Sequence, residues 1–302
     1  MPFPLQRALG AFWRTLTRPV SEIVHPQRVP AIGVALGGGF ARGLAHIGVL
    51  KVLEAEHIPI RYLAGTSVGA LLGAIYASGI SLRDMETIAH SVRWKDFARW
   101  TISRHGLASN DRMIPFLQKI LRVTTFEELE LPLAVVATDF LSGEPVVFRS
   151  GPLIPAIRAS CAYPGVFVPV EVEGRLMVDG LLAYSVPTVP LRQMGAERVL
   201  ASHLRASWVS QEGPQHVLEI IAQCFSIAQN KMSAEWKAAA DFVLEPDVAG
   251  FSHDAFDRAG ELMRRGEEAT RPALPVIRSW LTTPVPAATA AKAPAQAPAT
   301  AK

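Results

Sequence analysis

Between residues 58 and 77 the chain reads as a strand, a sharp turn and a helix, and this stretch limits the fold more tightly than any other. The apolar run Ile58 to Ala64, broken only by Pro59 and Arg61, leads into Gly65-Thr66-Ser67-Val68-Gly69. Ala70-Leu71-Leu72-Gly73-Ala74-Ile75-Tyr76-Ala77 leads out. Gly-x-Ser-x-Gly between a strand and a helix sets a serine hydroxyl on a turn tight enough to lift it clear of the sheet. Gly65 and Gly69 remove the side chains that would clash there, and Gly69 lets the helix pack close to the strand. Ser67 is therefore a candidate nucleophile.

A second stretch of the same kind precedes it. Ala31-Ile32-Gly33-Val34-Ala35-Leu36 is a continuous apolar run, the pattern of a buried parallel strand. It enters Gly37-Gly38-Gly39-Phe40-Ala41-Arg42-Gly43, and then Ala45, Gly48, Val49, Val52 and Leu53 repeat at helical spacing. Strand, helix, strand, helix is a βαβ unit, so the sheet is at least partly parallel. The C-terminal ends of neighbouring parallel strands lie side by side, which brings the glycine loop next to Ser67. Adjacent glycines free backbone N–H groups to converge, and a helix N-terminus favours negative charge. Gly37, Gly38 and Gly39 thus form a candidate oxyanion site, with Arg42 adding a fixed positive charge. A dinucleotide fingerprint is excluded. The spacing Gly37-x-Gly39-x-x-x-Gly43 is one residue too long, and no acidic residue ends the second strand.

Further along, Gly79 and Ser81-Leu82-Arg83-Asp84 mark a helix end and a capped helix start. Trp94, Phe97 and Trp100 lie in a stretch without clear periodicity that reads as a cover over a pocket. Residues 111–121 read as a short amphipathic helix. Leu133 to Ala137 reads as a third buried strand ending at Thr138-Asp139, with Val146-Val147-Phe148 as a hairpin partner. Pro155 to Cys161 reads as a helix that stops before Tyr163-Pro164-Gly165. Val168 to Val178 reads as a hairpin turning at Glu173-Gly174, with Asp179-Gly180 at its exit. A strand over Arg198 to His203, a long helix over 215–240, a strand at Phe242-Val243-Leu244 and a helix over 254–270 complete the core.

The 302 residues, 49% hydrophobic and 19% charged, supply ample material for a core. Residues 1–30 stand apart. Leu5, Ala8, Leu9, Phe12 and Trp13 share a helical face against Arg7, Arg14 and Arg18, a basic amphipathic segment that suits a lipid interface or the surface of its own domain. Residues 31–280 form the main domain, and 281–302 a Pro/Ala-rich tail whose composition predicts disorder. A net charge of +3 without a Lys/Arg run argues against nucleic acid and permits weak attraction to anionic lipid. Cys161 and Cys224 match no metal or redox spacing, so no metal or cofactor is expected. Reduced thiols, no signal-peptide pattern and no membrane-length apolar run suggest a cytoplasmic location, with peripheral contact at the inner membrane face left open. Oligomeric state is not legible.

A serine nucleophile needs a base. One arrangement is a triad in chain order, Asp139 or Asp179 followed by His203, His216 or His253. The other is a dyad, in which a partly buried carboxylate of raised pKa takes the serine proton directly. The residues alone leave both open. Gly37-Gly38-Gly39-Phe40-Ala41-Arg42-Gly43, Gly65-Thr66-Ser67-Val68-Gly69 and Asp179-Gly180, in that order, resemble the motifs of the patatin-like phospholipase family. Arg158 to Val170 and Thr138-Asp139-Phe140-Leu141-Ser142-Gly143 resemble segments of its bacterial members. The resemblance implies a three-layer α/β/α sandwich with a mostly parallel central sheet. It also implies a Ser67/Asp179 dyad, an oxyanion site at Gly37, Gly38, Gly39 and Arg42, motif glycines at Gly43, Gly65, Gly69 and Gly180, and hydrolysis of lipid acyl esters through an acyl-enzyme.

Two features depart from that pattern. Leu181 stands where Gly or Ala is usual, and Leu182 to Pro187 replaces a segment that commonly carries Asn-Pro. Either could narrow the pocket or shift the carboxylate. A non-catalytic lipid-binding or regulatory protein and a Ser-Asp-His esterase remain the alternative readings. Under the dyad, Asp139 is expected to fix a loop, Cys161 to pack at a helix end, His203 to be structural, and His46 to lie at the surface or just behind the site.

Overall fold

The first strand shows why the sheet is buried on both sides. In the computed structural model, which describes residues 29–101, 103–205, 213 and 217–282, β1 (Ile32–Leu36) has all five residues buried. Ile32, Val34 and Leu36 enter one core, while Ala35 enters another on the opposite face. The amphipathic segment over 1–28, His216 and the tail from residue 283 lie outside the described residues.

After β1 come a 3-10 turn (Phe40–Leu44), α1 (Ala45–Ala55), β2 (Ile60–Thr66), α2 (Val68–Ala77), α3 (Leu82–Ser91) and α4 (Trp94–Phe97). The two-residue strands β3 (Arg99–Trp100) and β4 (Ala108–Ser109) pair with each other. Then follow α5 (Met113–Ile120), β5 (Leu133–Asp139), β6 (Pro145–Phe148), α6 (Leu153–Ser160), β7 (Val170–Val172), β8 (Arg175–Asp179) and α7 (Thr188–Gln193). β9 (Arg198–Ser202), α8 (Val217–Lys231), α9 (Ser233–Ala238), β10 (Phe242–Leu244), α10 (Ala259–Thr270) and α11 (Leu274–Thr282) close the chain. The expected long helix over 215–240 is two helices, α8 and α9, meeting at Met232. Ser81 caps α3 as its sequence predicts, its hydroxyl accepting from the Asp84 amide at 3.1 Å.

The main sheet has the order β10-β9-β1-β2-β5-β8-β7, with β6 folded back on β5. Its first five strands are parallel, and β8 and β7 are antiparallel additions. The β7–β8 hairpin turns at Glu173 (φ 51°) and Gly174 (φ 72°), the two-residue left-handed turn that matches strand twist. Side-chain size sets the depth of each layer. Ala201, Ala35, Ala64 and Ala134 stand in register across four strands, so Leu191 of α7 and Trp236 of α9 approach the sheet closely. The other face carries Ile32, Val34, Leu36, Leu63, Val135 and Leu200 under α1, α2, α3 and α10. The result is a three-layer α/β/α sandwich.

α1 and α10 cross at glycines. A Cβ on Gly48 would lie 1.9 Å from the Met263 carbonyl oxygen, and one on Gly266 1.9 Å from that of Ala45. This close crossing fixes α1, which carries a buried histidine of the site described next.

Candidate active site

Strand register brings three distant segments to one level of the sheet. Thr66 pairs with Val136, so Ser67 stands level with Ala137, and across β5 Ala137 pairs with Asp179. On the other side Leu36 pairs with Gly65, which sets Gly38 level with Ser67. A Cβ on Gly38 would lie 3.4 Å from the Ser67 Cβ. Serine, carboxylate and glycine loop therefore meet at the C-terminal edge of the parallel strands, where open α/β sheets place their ligands.

Ser67 is the N-cap of α2, with φ 56° and ψ −125°. A non-glycine residue in that left-handed region stores about 1–3 kcal/mol of strain and needs surroundings that enforce it. Ser160 supplies part of this. The Ser67 amide donates to Ser160 Oγ at 2.8 Å, and that hydroxyl donates to the Val136 carbonyl at 2.6 Å. Gly65 and Gly69 supply the rest by close approach. A Cβ on Gly69 would meet the Leu36 carbonyl oxygen at 2.0 Å, and one on Gly65 the Ala70 nitrogen at 2.4 Å. Ser160→Ala leaves the buried Ser67 amide unpaired, an expected cost of about 1–3 kcal/mol in thermal unfolding. It is also expected to lower kcat for an acyl ester roughly tenfold or more with KM little changed, because the hydroxyl drifts from its attack position.

Asp179 is completely buried at the end of β8. Its Oδ1 accepts from the Leu181 amide at 3.0 Å, its own amide donates to the Ala162 carbonyl, and Thr138 Oγ1 donates to its carbonyl oxygen. Oδ2 is buried without a hydrogen-bond partner among the described residues. Burial pushes the carboxyl up to about 7, while interaction with the Ser67 hydroxyl and the Leu181 amide holds it from rising further. The Ser67 hydroxyl is thus near enough to favour the ionised carboxylate. Leu181 is itself buried. Its side chain packs with Tyr163, Phe167 and Ala222, and its amide holds Oδ1.

The glycine loop differs from the expected trio of free amides. Gly37 donates its N–H to the Ser202 carbonyl at 3.0 Å, and Gly38 donates to the Ser185 carbonyl at 3.2 Å. Only the Gly39 amide of the three is uncommitted among the described residues. The reason lies in the sheet: the loop continues β1 and keeps bonding to the strand end and to the segment after Asp179. That segment, Leu182 to Pro187, thus anchors the loop, and the Thr66 hydroxyl holds it in turn through the Tyr184 carbonyl at 2.7 Å. Arg42, 3% exposed, directs Nε to the Gly39 carbonyl at 3.4 Å, and burial lowers its guanidinium to about 10. Gly43 abuts Val68, and Gly180 abuts the Val136 carbonyl.

His46 is fully buried, not at the surface. Burial drives it down to about 4, so the ring is neutral. Its Nε2–H donates to the Gly37 carbonyl and its Nδ1 accepts from the Ser202 hydroxyl, each at 2.9 Å. The ring thereby pins the loop from behind. Of the two expected places for His46, it takes the one just behind the site; its bonds to the loop, like the roles of Ser160 and Ser202, were not foreseen from sequence. The signal available for His46 was its place on the apolar face of α1, beside Ala45 and Val49.

Ser67 lines two cavities of opposite character. The apolar one is walled by Val68, Leu71, Leu72 and Ile75 of α2, Met85 and Ile88 of α3, and Trp94, Phe97, Cys161 and Phe167. The polar one contains Gly38, Gly39, Arg42, Ser185, His203, Arg205 and Asn230. Trp94 and Phe97 thus cover a cavity as their sequence suggested, whereas Trp100 points to solvent. Cys161 reaches Ser67, and burial and the Asp179 charge raise its thiol well above the ordinary range, so it stays protonated.

The triad candidates do not assemble among the described residues. Asp139 accepts from the Leu141 and Ser142 amides and from Arg175 at 2.8 Å, contacts that hold it down near 2. It fixes its loop. His203 Nδ1 contacts Glu245 at 3.2 Å and its ring lies 5.0 Å from Trp236. His253 packs edge-on against Phe40 and offers its carbonyl to the Ala41 amide.

Comparison with known proteins agrees with this architecture. The family model described as patatin-like phospholipase matches residues 34–192, a span that holds Ser67, Asp179 and the glycine loop. An uncharacterized NTE family protein of Mycobacterium tuberculosis is 34% identical over 221 residues, covering 72% of this chain and 58% of that protein. Lysophospholipase NTE1 of Mycosarcoma maydis is 33% identical over 183 residues, 57% of this chain and 9% of its own length. The chain thus spans little more than half the length of the mycobacterial relative. The crystal structure of VipD from Legionella pneumophila shares the fold, with a TM-score of 0.50 at 13% identity, covering 83% of this chain and 67% of that one. On the family match and the mycobacterial identity, this chain belongs to the patatin-like phospholipase family.

Proposed function

We propose that the chain is a serine hydrolase of lipid acyl esters working through a Ser67/Asp179 dyad. The observation that carries this reading is the buried Asp179 carboxyl, level with Ser67 across β5 and poised at about 7. A carboxylate of that basicity accepts a proton near neutral pH and returns it easily. Ser67 Oγ attacks the ester carbonyl while Asp179 takes its proton. The carbonyl oxygen gains the negative charge and is received by the Gly39 amide, with the Arg42 charge behind it. Collapse expels the alcohol, protonated by Asp179, and leaves the acyl group on Ser67. Water then repeats the sequence, with Asp179 as base, and the carboxylic acid departs.

The two cavities suit the two ends of such a substrate. The apolar one takes the acyl chain, and the polar one, with Arg42, His203 and Arg205, takes the alcohol or head group. The acyl cavity follows α2. Ile75 lies eight residues beyond Ser67, about 12 Å along the helix, room for roughly ten methylenes at ordinary C–C bond lengths. α3 turns back after four residues and brings Met85 into the same cavity wall as Ile75. Ile75→Phe is expected to shorten the chain preference. Denying two methylenes the cavity forgoes about 1.6 kcal/mol, so kcat/KM for a long-chain ester falls more than roughly tenfold. The value for a butanoyl ester stays unchanged.

Fatty-acid release from a panel of phospholipids, lysophospholipids and simple acyl esters tests the proposal. Release that disappears with Ser67→Ala supports it; a purified chain that binds these lipids and cleaves none contradicts it, and favours the lipid-binding alternative.

A further inference from the structure

Outside the acyl cavity lies a cleft that the chemistry above does not use. Phe40 and Trp94 line both, and the cleft runs outward to Trp100 and Leu107. The wall between them is aromatic: Phe40 stacks 6.3 Å from Trp94, and Trp94 stacks 5.5 Å from Phe167. Trp100, on β3, is 70% exposed, and Leu107, next to β4, is 43% exposed. Phe40 and Trp94 thus stand between the surface cleft and the cavity that reaches Ser67.

The segment that carries Trp94, Trp100 and Leu107 is basic, although the two charged residues lining the cleft itself, Glu219 and Asp254, are acidic. Arg93, Lys95, Arg99, Arg104 and Arg112 are all exposed, against two carboxylates in the same segment, Asp96 and Asp111. Asp111 is engaged by Arg99 and Arg158, and Asp96 accepts from the Arg93 amide, so both carboxylates are bonded and the segment keeps an excess of cations. Across the cleft, α8 exposes Val217 and Ile220, with Glu219 and Asp254 lining the cleft between. Tryptophan set among Lys and Arg is the composition of a lipid-facing surface, where the ring enters the interface and the cations meet anionic head groups.

We propose that the β3–β4 hairpin and its basic flanks dock on an anionic phospholipid bilayer, so that an acyl chain passes along Phe40 and Trp94 to Ser67 without crossing water. The docking rests on the acyl-hydrolase reading of Ser67. A bilayer fits better than a protein partner because the cleft must stay open to deliver a chain, and a folded partner on the hairpin would close it.

The test uses the full chain carrying Ser67→Ala, so that vesicles are not consumed. It is sedimented with vesicles of phosphatidylcholine alone and of phosphatidylcholine mixed with phosphatidylglycerol. Binding is expected to the mixed vesicles, weakening as salt rises. Trp100→Ala, or Lys95→Glu with Arg104→Glu, is expected to weaken partitioning about tenfold or more. Val276→Ser is expected to change nothing. Val276 is an exposed apolar residue on α11, whose Arg278 pairs with Glu56 near the opposite edge of the sheet. Absence of binding to mixed vesicles, or binding undiminished by Trp100→Ala, overturns the docking. Turnover of a water-soluble acyl ester by the chain with Ser67 intact reads the chemistry separately. Equal rates with and without Trp100→Ala support a docking role, and a matching loss of soluble-ester turnover overturns it. A chain that cleaves no soluble ester, yet needs Trp100 for vesicle binding, sinks the reading of Ser67 and leaves the surface standing.

Discussion

Asp179→Asn is expected to lower ester turnover by a factor of about 10²–10⁴ and, at the same time, to stabilise the fold at alkaline pH. Both effects have one cause. The carboxyl is completely buried, and its pKa is raised from 3.8 to about 7. Between those values the folded protein holds a proton that the unfolded chain has released. Stability therefore falls as pH rises from about 4 to 7 and stays low above it. Keeping the charge buried at pH 8 costs on the order of 4 kcal/mol, at 1.36 kcal/mol per pH unit. Asparagine carries no charge and removes that cost, so the gain in thermal stability should be largest near pH 8 and vanish below pH 4. The same titration sets the rate. In the parent, kcat/KM should rise through about pH 7 and level off, because only the ionised carboxylate accepts the serine proton. Thermal unfolding and pH–rate profiles of the parent and Asp179→Asn check both halves.

Ser67→Ala is expected to remove turnover to background, a loss on the order of 10⁶ by analogy with nucleophile deletions in other serine hydrolases. Its stability effect distinguishes a strained catalytic serine from an ordinary turn residue. Alanine keeps the strained φ of 56° and should unfold near the parent temperature. Ser67→Gly relieves the strain of about 1–3 kcal/mol, partly offset by the extra freedom of unfolded glycine, about 0.4–1 kcal/mol. It should therefore be inactive yet more stable than Ser67→Ala. His203→Ala separates dyad from triad. With its ring turned to Glu245 and Trp236, its loss should leave kcat close to normal and fall on KM, through the head-group cavity it lines, whereas a triad histidine would cost kcat itself.

Much of this site was legible because its parts are backbone devices. Gly-x-Ser-x-Gly between a strand and a helix, and three glycines after a buried strand, dictate turns and close approach whatever surrounds them. The placement of Asp179 level with Ser67 was not legible from spacing. It depends on β8 running antiparallel to β5 with Asp179 opposite Ala137, and no local pattern encodes that register. The resemblance supplied it. What supports the site from behind was hidden for a similar reason. Ser160, Ser202 and His46 are ordinary residue types whose roles arise only when α6, β9 and α1 converge on the loop. The free-amide reading of Gly37 and Gly38 went astray because glycine composition reveals flexibility, not whether a neighbouring strand already occupies the amide.

Labelling with a fluorophosphonate, read by mass spectrometry of the intact and digested chain, tests the central claim most directly. An activated serine beside a base is required for the reaction, so one adduct is predicted, located on Ser67. Its rate should fall as pH drops below about 7, and no adduct should form in Ser67→Ala. A chain that stays unlabelled at pH 8, or one whose Ser67→Ala variant labels as fast as the parent, would contradict the assignment.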